Sequence, residues 1–97
     1  MLFKFRRENI GAQDIAGAWL HRDDDTWMFF AFYKDGICEY VDDDDDIRIW
    51  HYAVKNNKLN LWGADKAKAM TLKISLSADN LIINGMEYTR AEKAWRA

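Results

Sequence analysis

Two carboxylate runs carry the densest chemistry in this sequence, Asp23-Asp24-Asp25 and Asp42 to Asp46 (Asp42, Asp43, Asp44, Asp45, Asp46). Clustered carboxylates can ligate a hard cation such as Ca²⁺, which takes about six to eight oxygens. They can also steer a basic partner by their field, or simply solvate a loop. The order of an EF-hand loop is missing, because counting from Asp42 puts Ile47 rather than Gly at the sixth position and Ala53 rather than Glu at the twelfth. His21 precedes the first run and with two Asp could be a metal fragment, although a surface histidine is the commoner reason for one there. His51 reads as a satisfied sheet histidine and Cys38 as a small buried residue. A single cysteine rules out a disulfide framework and a Cys-based metal site. No Ser-His-Asp, Cys-His or paired-Glu motif surrounds any of these residues, and no Gly-rich loop is present to cradle a phosphate. The expectation is a non-enzymatic protein with no cofactor.

The carboxylates sit in a segregated charge pattern. Residues 21–46 hold two basic residues against ten acidic ones, a net of −8. Residues 1–20 carry +1 and residues 47–97 carry +5, for −2 overall. The basic half is spread rather than concentrated, with Lys55, Lys58, Lys66, Lys68 and Lys73 falling mostly in turns, and aromatic interleaving is thin. A nucleic-acid binder shows a basic stripe and usually a high pI, whereas here the pI is about 5.6. Nucleic acid is therefore not an expected partner.

What positions these side chains is a chain of 97 residues, 49% apolar and 14% aromatic, enough for one domain spanning 1–97 and too apolar for disorder. No apolar run approaches a membrane span, and the first residues lack the apolar core of a signal peptide, which points to a cytoplasmic protein with no membrane partner. Leu2 to Arg7 alternates weakly, as a strand or an arm. Glu8 to Ile15 could form one helical turn with Asn9 as N-cap, and Arg90 to Ala97 another.

The remainder alternates at period two. Thr26 to Tyr33 is aromatic on both faces, with Met28, Phe30 and Phe32 opposing Trp27, Phe29 and Tyr33. Lys34-Asp35-Gly36 turns the chain into Ile37 to Val41. Ile47 to Val54, Lys58 to Trp62 and Ala69 to Leu76 follow, the last with Met70, Leu72, Ile74 and Leu76 on one face. Leu81 to Ile83 meets Met86 to Arg90 across Asn84-Gly85, a strong hairpin signal that pairs Ile83 with Met86 and Leu81 with Tyr88. With Gly17 to Arg22 this makes about eight short strands. Their connections are too short for crossovers, so the fold class is all-β, an antiparallel up-and-down meander closing into a small barrel or two-layer clam.

Gly17-Ala18-Trp19 opens the first clear strand and Arg90 closes the last. This resembles the Gly-x-Trp opening and closing-strand Arg of lipocalin and wider calycin barrels, and of small bacterial lipocalin-like domains. The resemblance implies that Trp19 sits at the closed end of the barrel with Arg90 packed across its indole. It also implies a small apolar ligand carried in the barrel mouth.

An eight-stranded barrel is just wide enough to be filled by side chains. The bulky inward sets favour a filled interior. In a meander, the loops carrying the two acidic runs lie at the same end, so the runs should converge on one rim. The leading expectation is a binding module that engages a basic partner protein through Asp23, Asp24, Asp25 and Asp42 to Asp46, with Trp27 and Tyr40 adjoining. Carriage of a small apolar ligand and binding of a divalent cation are the alternatives. The outer aromatic face needs cover from the N-terminal arm (Leu2, Phe3, Phe5), a partner, or a second copy of the chain.

Overall fold

A computed structural model describes residues 10–44, 46–63, 69–77 and 79–91. The expected strand at Leu2 to Arg7 lies outside these, as does the expected turn at the C-terminus beyond Ala91. A short helix, α1 (Ala12–Ile15), precedes eight strands: β1 (Gly17–Arg22), β2 (Trp27–Phe32), β3 (Ile37–Asp42), β4 (Arg48–Lys55), β5 (Lys58–Trp62), β6 (Met70–Ser77), β7 (Asn80–Ile83) and β8 (Met86–Arg90). Each pairs antiparallel with the next, and β8 returns to β1, closing the barrel. Strand ends differ from the sequence reading by about a residue; Asp42, for instance, ends β3 instead of opening the loop.

The hairpin across Asn84-Gly85 has the expected register, Ile83 with Met86 and Leu81 with Tyr88. Asn84 (φ 53°) and Gly85 (φ 88°) both take positive φ, which matches the strand twist and which glycine adopts without strain. Asn56 and Asn57 turn β4 into β5 in the same way. The inward parity also follows the alternation. Phe30, Phe32, Tyr52, Leu59, Leu61, Ile74, Leu81, Ile83 and Tyr88 form the buried cluster, and Ile82 and Glu87 face out.

The N-cap of α1 is Gly11, not Asn9. The Gly11 amide donates to Asp14 Oδ2 at 2.8 Å, so the carboxylate at the third helical position reaches back to the N-cap amide, while glycine itself has no side chain to cap the first-turn amides. This turn plugs one end of the barrel. Ile15 is fully buried, and the Trp19 indole N–H donates to the Ile15 carbonyl at 2.9 Å. The Arg90 guanidinium lies over the Trp19 ring, 4.0 Å from its centroid. Arg90 Nη1 donates to the Ala16 carbonyl at 2.8 Å and Nη2 to the Asp14 carbonyl at 3.4 Å. Gly17 has φ 117°, and a Cβ there would stand 2.9 Å from Arg90 Nη1, so glycine is what lets the chain pass under the guanidinium. Among the described residues no helix is long and apolar enough to cross a membrane.

Candidate functional site

The opposite end of the barrel carries the loops β1–β2 and β3–β4, and the two acidic runs meet there. Asp43 spans the gap: its carboxylate accepts the Thr26 hydroxyl at 2.9 Å and the Trp27 amide at 3.1 Å. Asp23 accepts the Asp25 and Thr26 amides at 2.9 and 3.0 Å, and these backbone bonds hold its carboxyl below the usual carboxylate value. Asp42 accepts the Asp44 amide, the Tyr40 hydroxyl and Arg48 Nη1; the Asp44 amide is the main reason its carboxyl is also lowered. These three carboxylates therefore shape the turns. Asp24, Asp25, Asp44 and Asp46 are exposed, and among the described residues their carboxylates meet no cation or donor. Asp45 lies outside the described residues. The rim thus divides into carboxylates used by the fold and carboxylates turned to solvent.

Beside this rim the mouth of the barrel is open above its packed core. A hollow of about 240 Å³ opens between Phe30, Tyr40, Trp50, Leu72 and Tyr88, with Met70, Met86 and Asn84 at its edge. The two methionines are 41% and 36% exposed although they share faces with core residues, because they stand where the strands end. Tyr40 stacks on Trp50 with ring centroids 5.7 Å apart and meets Phe30 at a tilt, 4.8 Å between centroids, while its hydroxyl donates to Asp42. It therefore joins the apolar wall to the acidic rim. Burial raises the Tyr40 phenol above its ordinary value, and raises that of Tyr88 as well.

The structure separates the two aromatics expected to act together. Tyr40 lines the hollow. Trp27 pairs with Arg22 and alternates with the inward Met28, so it stands on the outer surface of the sheet. His21 caps the seam between β1 and β8: its Nδ1–H donates to the Glu87 carbonyl at 2.9 Å, and Nε2 faces Asp23 Oδ2 at 3.5 Å. His51 is exposed and stacks on Trp62. Cys38 is buried, and desolvation pushes its thiol up to about 12. Among the described residues no three His, Cys, Asp or Glu side chains gather as a metal site.

Bulky inward residues pack the middle of the barrel, and the hollow opens only at its mouth, for which the sequence holds a signal. In a meander all odd-to-even connections lie at one end, so Met70 and Met86, which open β6 and β8, fall at the same end as the Asp loops. Comparison of the chain with protein-family models, curated proteins and solved structures found no match.

Proposed function

We propose that the protein is a non-enzymatic binding module that grips a basic segment of a partner protein at the open end of the barrel. One bulky apolar side chain of the partner enters the hollow, and flanking Lys or Arg residues meet Asp24, Asp25, Asp44 and Asp46. The observation that carries this reading is the juxtaposition of an apolar hollow with unengaged rim carboxylates, bridged by Tyr40 and Asp42. Size argues for a side chain over a free ligand. At about 240 Å³ the hollow is smaller than the roughly 300–1,000 Å³ of pockets that hold small molecules. Aromatic-lined pockets ringed by charge are also where partner anchors concentrate. A lipocalin-like family assignment belongs to the same proposal and is supported by the Gly17, Trp19 and Arg90 arrangement at the closed end.

An array of short random-sequence peptides tests it. The expected binders place one bulky apolar residue among Lys and Arg. Their affinity should drop about tenfold or more in a variant carrying Asp24→Asn, Asp25→Asn, Asp44→Asn and Asp46→Asn, and similarly at high salt. These four carboxylates cap no turn, so the fold should persist. Binders with no basic bias would overturn the proposal, as would a lipid-sized mass retained in native mass spectrometry.

A further inference from the structure

The hollow at the barrel mouth has an aromatic wall built from four strands: Phe30 on β2, Tyr40 on β3, Trp50 on β4 and Tyr88 on β8. The rings do not form one stack. Phe30 meets Tyr40 at 49° and Tyr88 at 62°, while Tyr40 and Trp50 lie within 20° of parallel, so the wall has a corner rather than one flat face. An aromatic face carries negative charge density, and a cation within about 6 Å of a ring centroid is attracted to it. The mouth already holds one cation in this way: the Arg48 guanidinium lies 5.8 Å from the Tyr40 centroid and 3.4 Å from Asp42 Oδ2. The phenols suit a cation as well. Tyr40 donates its proton to Asp42 Oδ2 at 3.2 Å and Tyr88 to Met28 Sδ at 3.7 Å, so neither hydroxyl has a proton left to offer a guest. A phenol bonded to a carboxylate is polarised toward its ring, which strengthens the ring's pull on positive charge.

Resting on the binding-module reading, we propose that the anchor seated in this hollow is the trimethylammonium head of a methylated lysine in the partner. Three kinds of head group compete for the place. A plain ammonium is strongly hydrated and would bring its N–H donors to an apolar wall, where unmet donors cost binding. A branched alkyl group fits but leaves the negative ring faces and the field of the rim unused. A trimethylammonium has the alkyl group's shape and apolar surface, carries the charge, and has no N–H to satisfy. Size agrees, since about 240 Å³ admits one side-chain head and is small for a free organic ligand. Charge agrees too: Asp24, Asp25, Asp44 and Asp46 stand exposed on the adjoining rim, and Asp42 touches the wall through Tyr40. Met70 and Met86 at the edge are unbranched thioethers, adaptable enough to close on a cluster of methyl groups.

Calorimetric titration of the full chain with four probes tests the anchor. Three are one basic peptide whose central residue is trimethyl-lysine, plain lysine, or the uncharged isostere in which a tert-butyl group replaces trimethylammonium; the fourth is choline. The trimethyl-lysine peptide is expected to bind about tenfold or more tighter than the other two peptides, and to shift the Met70 and Met86 methyl signals in NMR. Choline, which lacks basic neighbours for the rim, is expected to bind more weakly than this peptide. An isostere peptide that binds as tightly would overturn the proposal, because the anchor would then be plainly apolar. Equal binding of the lysine peptide would put the contact on the carboxylates alone, and choline bound as tightly as the peptide would make the guest a free small molecule; either result also overturns it. Failure of all four probes, while the peptide array still yields basic binders with an apolar anchor, would remove the methylated lysine and leave the binding module standing. Array binders with no basic bias would remove both.

Discussion

Thr26 donates its hydroxyl to Asp43, 17 residues away in sequence, at 2.9 Å. The Trp27 amide uses the other oxygen of the same carboxylate, so one side chain fastens the β1–β2 turn to the β3–β4 loop. Replacing Asp43 by Ala removes both acceptors and should free the turns from each other. We expect faster amide exchange at Trp27 and a Tm lower by a few degrees. Asp43→Asn should fall between the two, since its side-chain amide oxygen can still accept one bond. Unchanged exchange at Trp27 in Asp43→Ala would mean that the two loops hold their places without this carboxylate.

The closed end depends on Arg90. Its guanidinium covers the Trp19 ring and satisfies two carbonyls of the plug, those of Ala16 and Asp14. Arg90→Met keeps apolar bulk but loses the cation and its donors. We expect a cost of about 1–3 kcal/mol in urea unfolding, from the cation–π contact together with part-buried carbonyls that lose their donor. Arg90→Lys restores charge but not the planar fork, and should recover only part of this. Gly17→Ala should destabilise through the same contact, because the new Cβ meets Arg90 Nη1 at a φ of 117°. Equal stability of the Met and Lys variants would show that charge over the indole contributes nothing here.

How far the sequence discloses this architecture depends on how local the determining interaction is. The strand Met70–Ser77 is written in its alternation, and the β7–β8 register in Asn84-Gly85, because neighbouring residues decide both. Convergence of the acidic runs follows from meander topology alone. The role of each Asp does not: in a run of five identical residues nothing local says that Asp43 reaches Thr26 while Asp44 faces water. The side of Trp27 is equally hidden, since β2 is aromatic on both faces and only the closed barrel fixes which parity is interior. The hollow depends on how far side chains from seven strands, β2 to β8, fall short of filling the mouth, a volume difference that no spacing records.

Stability should pass through a plateau with an acid and an alkaline limb. Asp23 and Asp42 hold lower carboxyl values folded than unfolded, chiefly through backbone amides. Such groups contribute stability that is complete above the unfolded value near 4 and is lost as pH falls through the folded one. At the other end, Cys38 keeps its proton to about 12, and Tyr40 and Tyr88 are raised as well. Above pH ~9 the unfolded chain gives up such protons first, so stability declines as pH rises toward the folded values. Melting temperatures recorded from acid to alkaline pH should show both limbs, and Asp23→Asn with Asp42→Asn should flatten the acid one. The same burial predicts that a thiol reagent at pH 8 leaves Cys38 unmodified until denaturant is added. Rapid labelling of the native protein would contradict the buried thiol.

Filling the hollow separates binding from folding. Leu72 is half-buried on the hollow's wall, packed against the core cluster. Adding an aromatic ring to a close-packed site costs about 1–3 kcal/mol through strain, but beside an open volume of about 240 Å³ the ring can turn into vacant space and bury apolar area. Leu72→Phe should therefore leave Tm unchanged or raise it, while weakening capture of the basic peptides about tenfold or more by occupying their anchor's place. A large fall in Tm would mean that the mouth is already packed. Undiminished capture by a stable Leu72→Phe protein would put the partner on the carboxylates alone, with the hollow left unused.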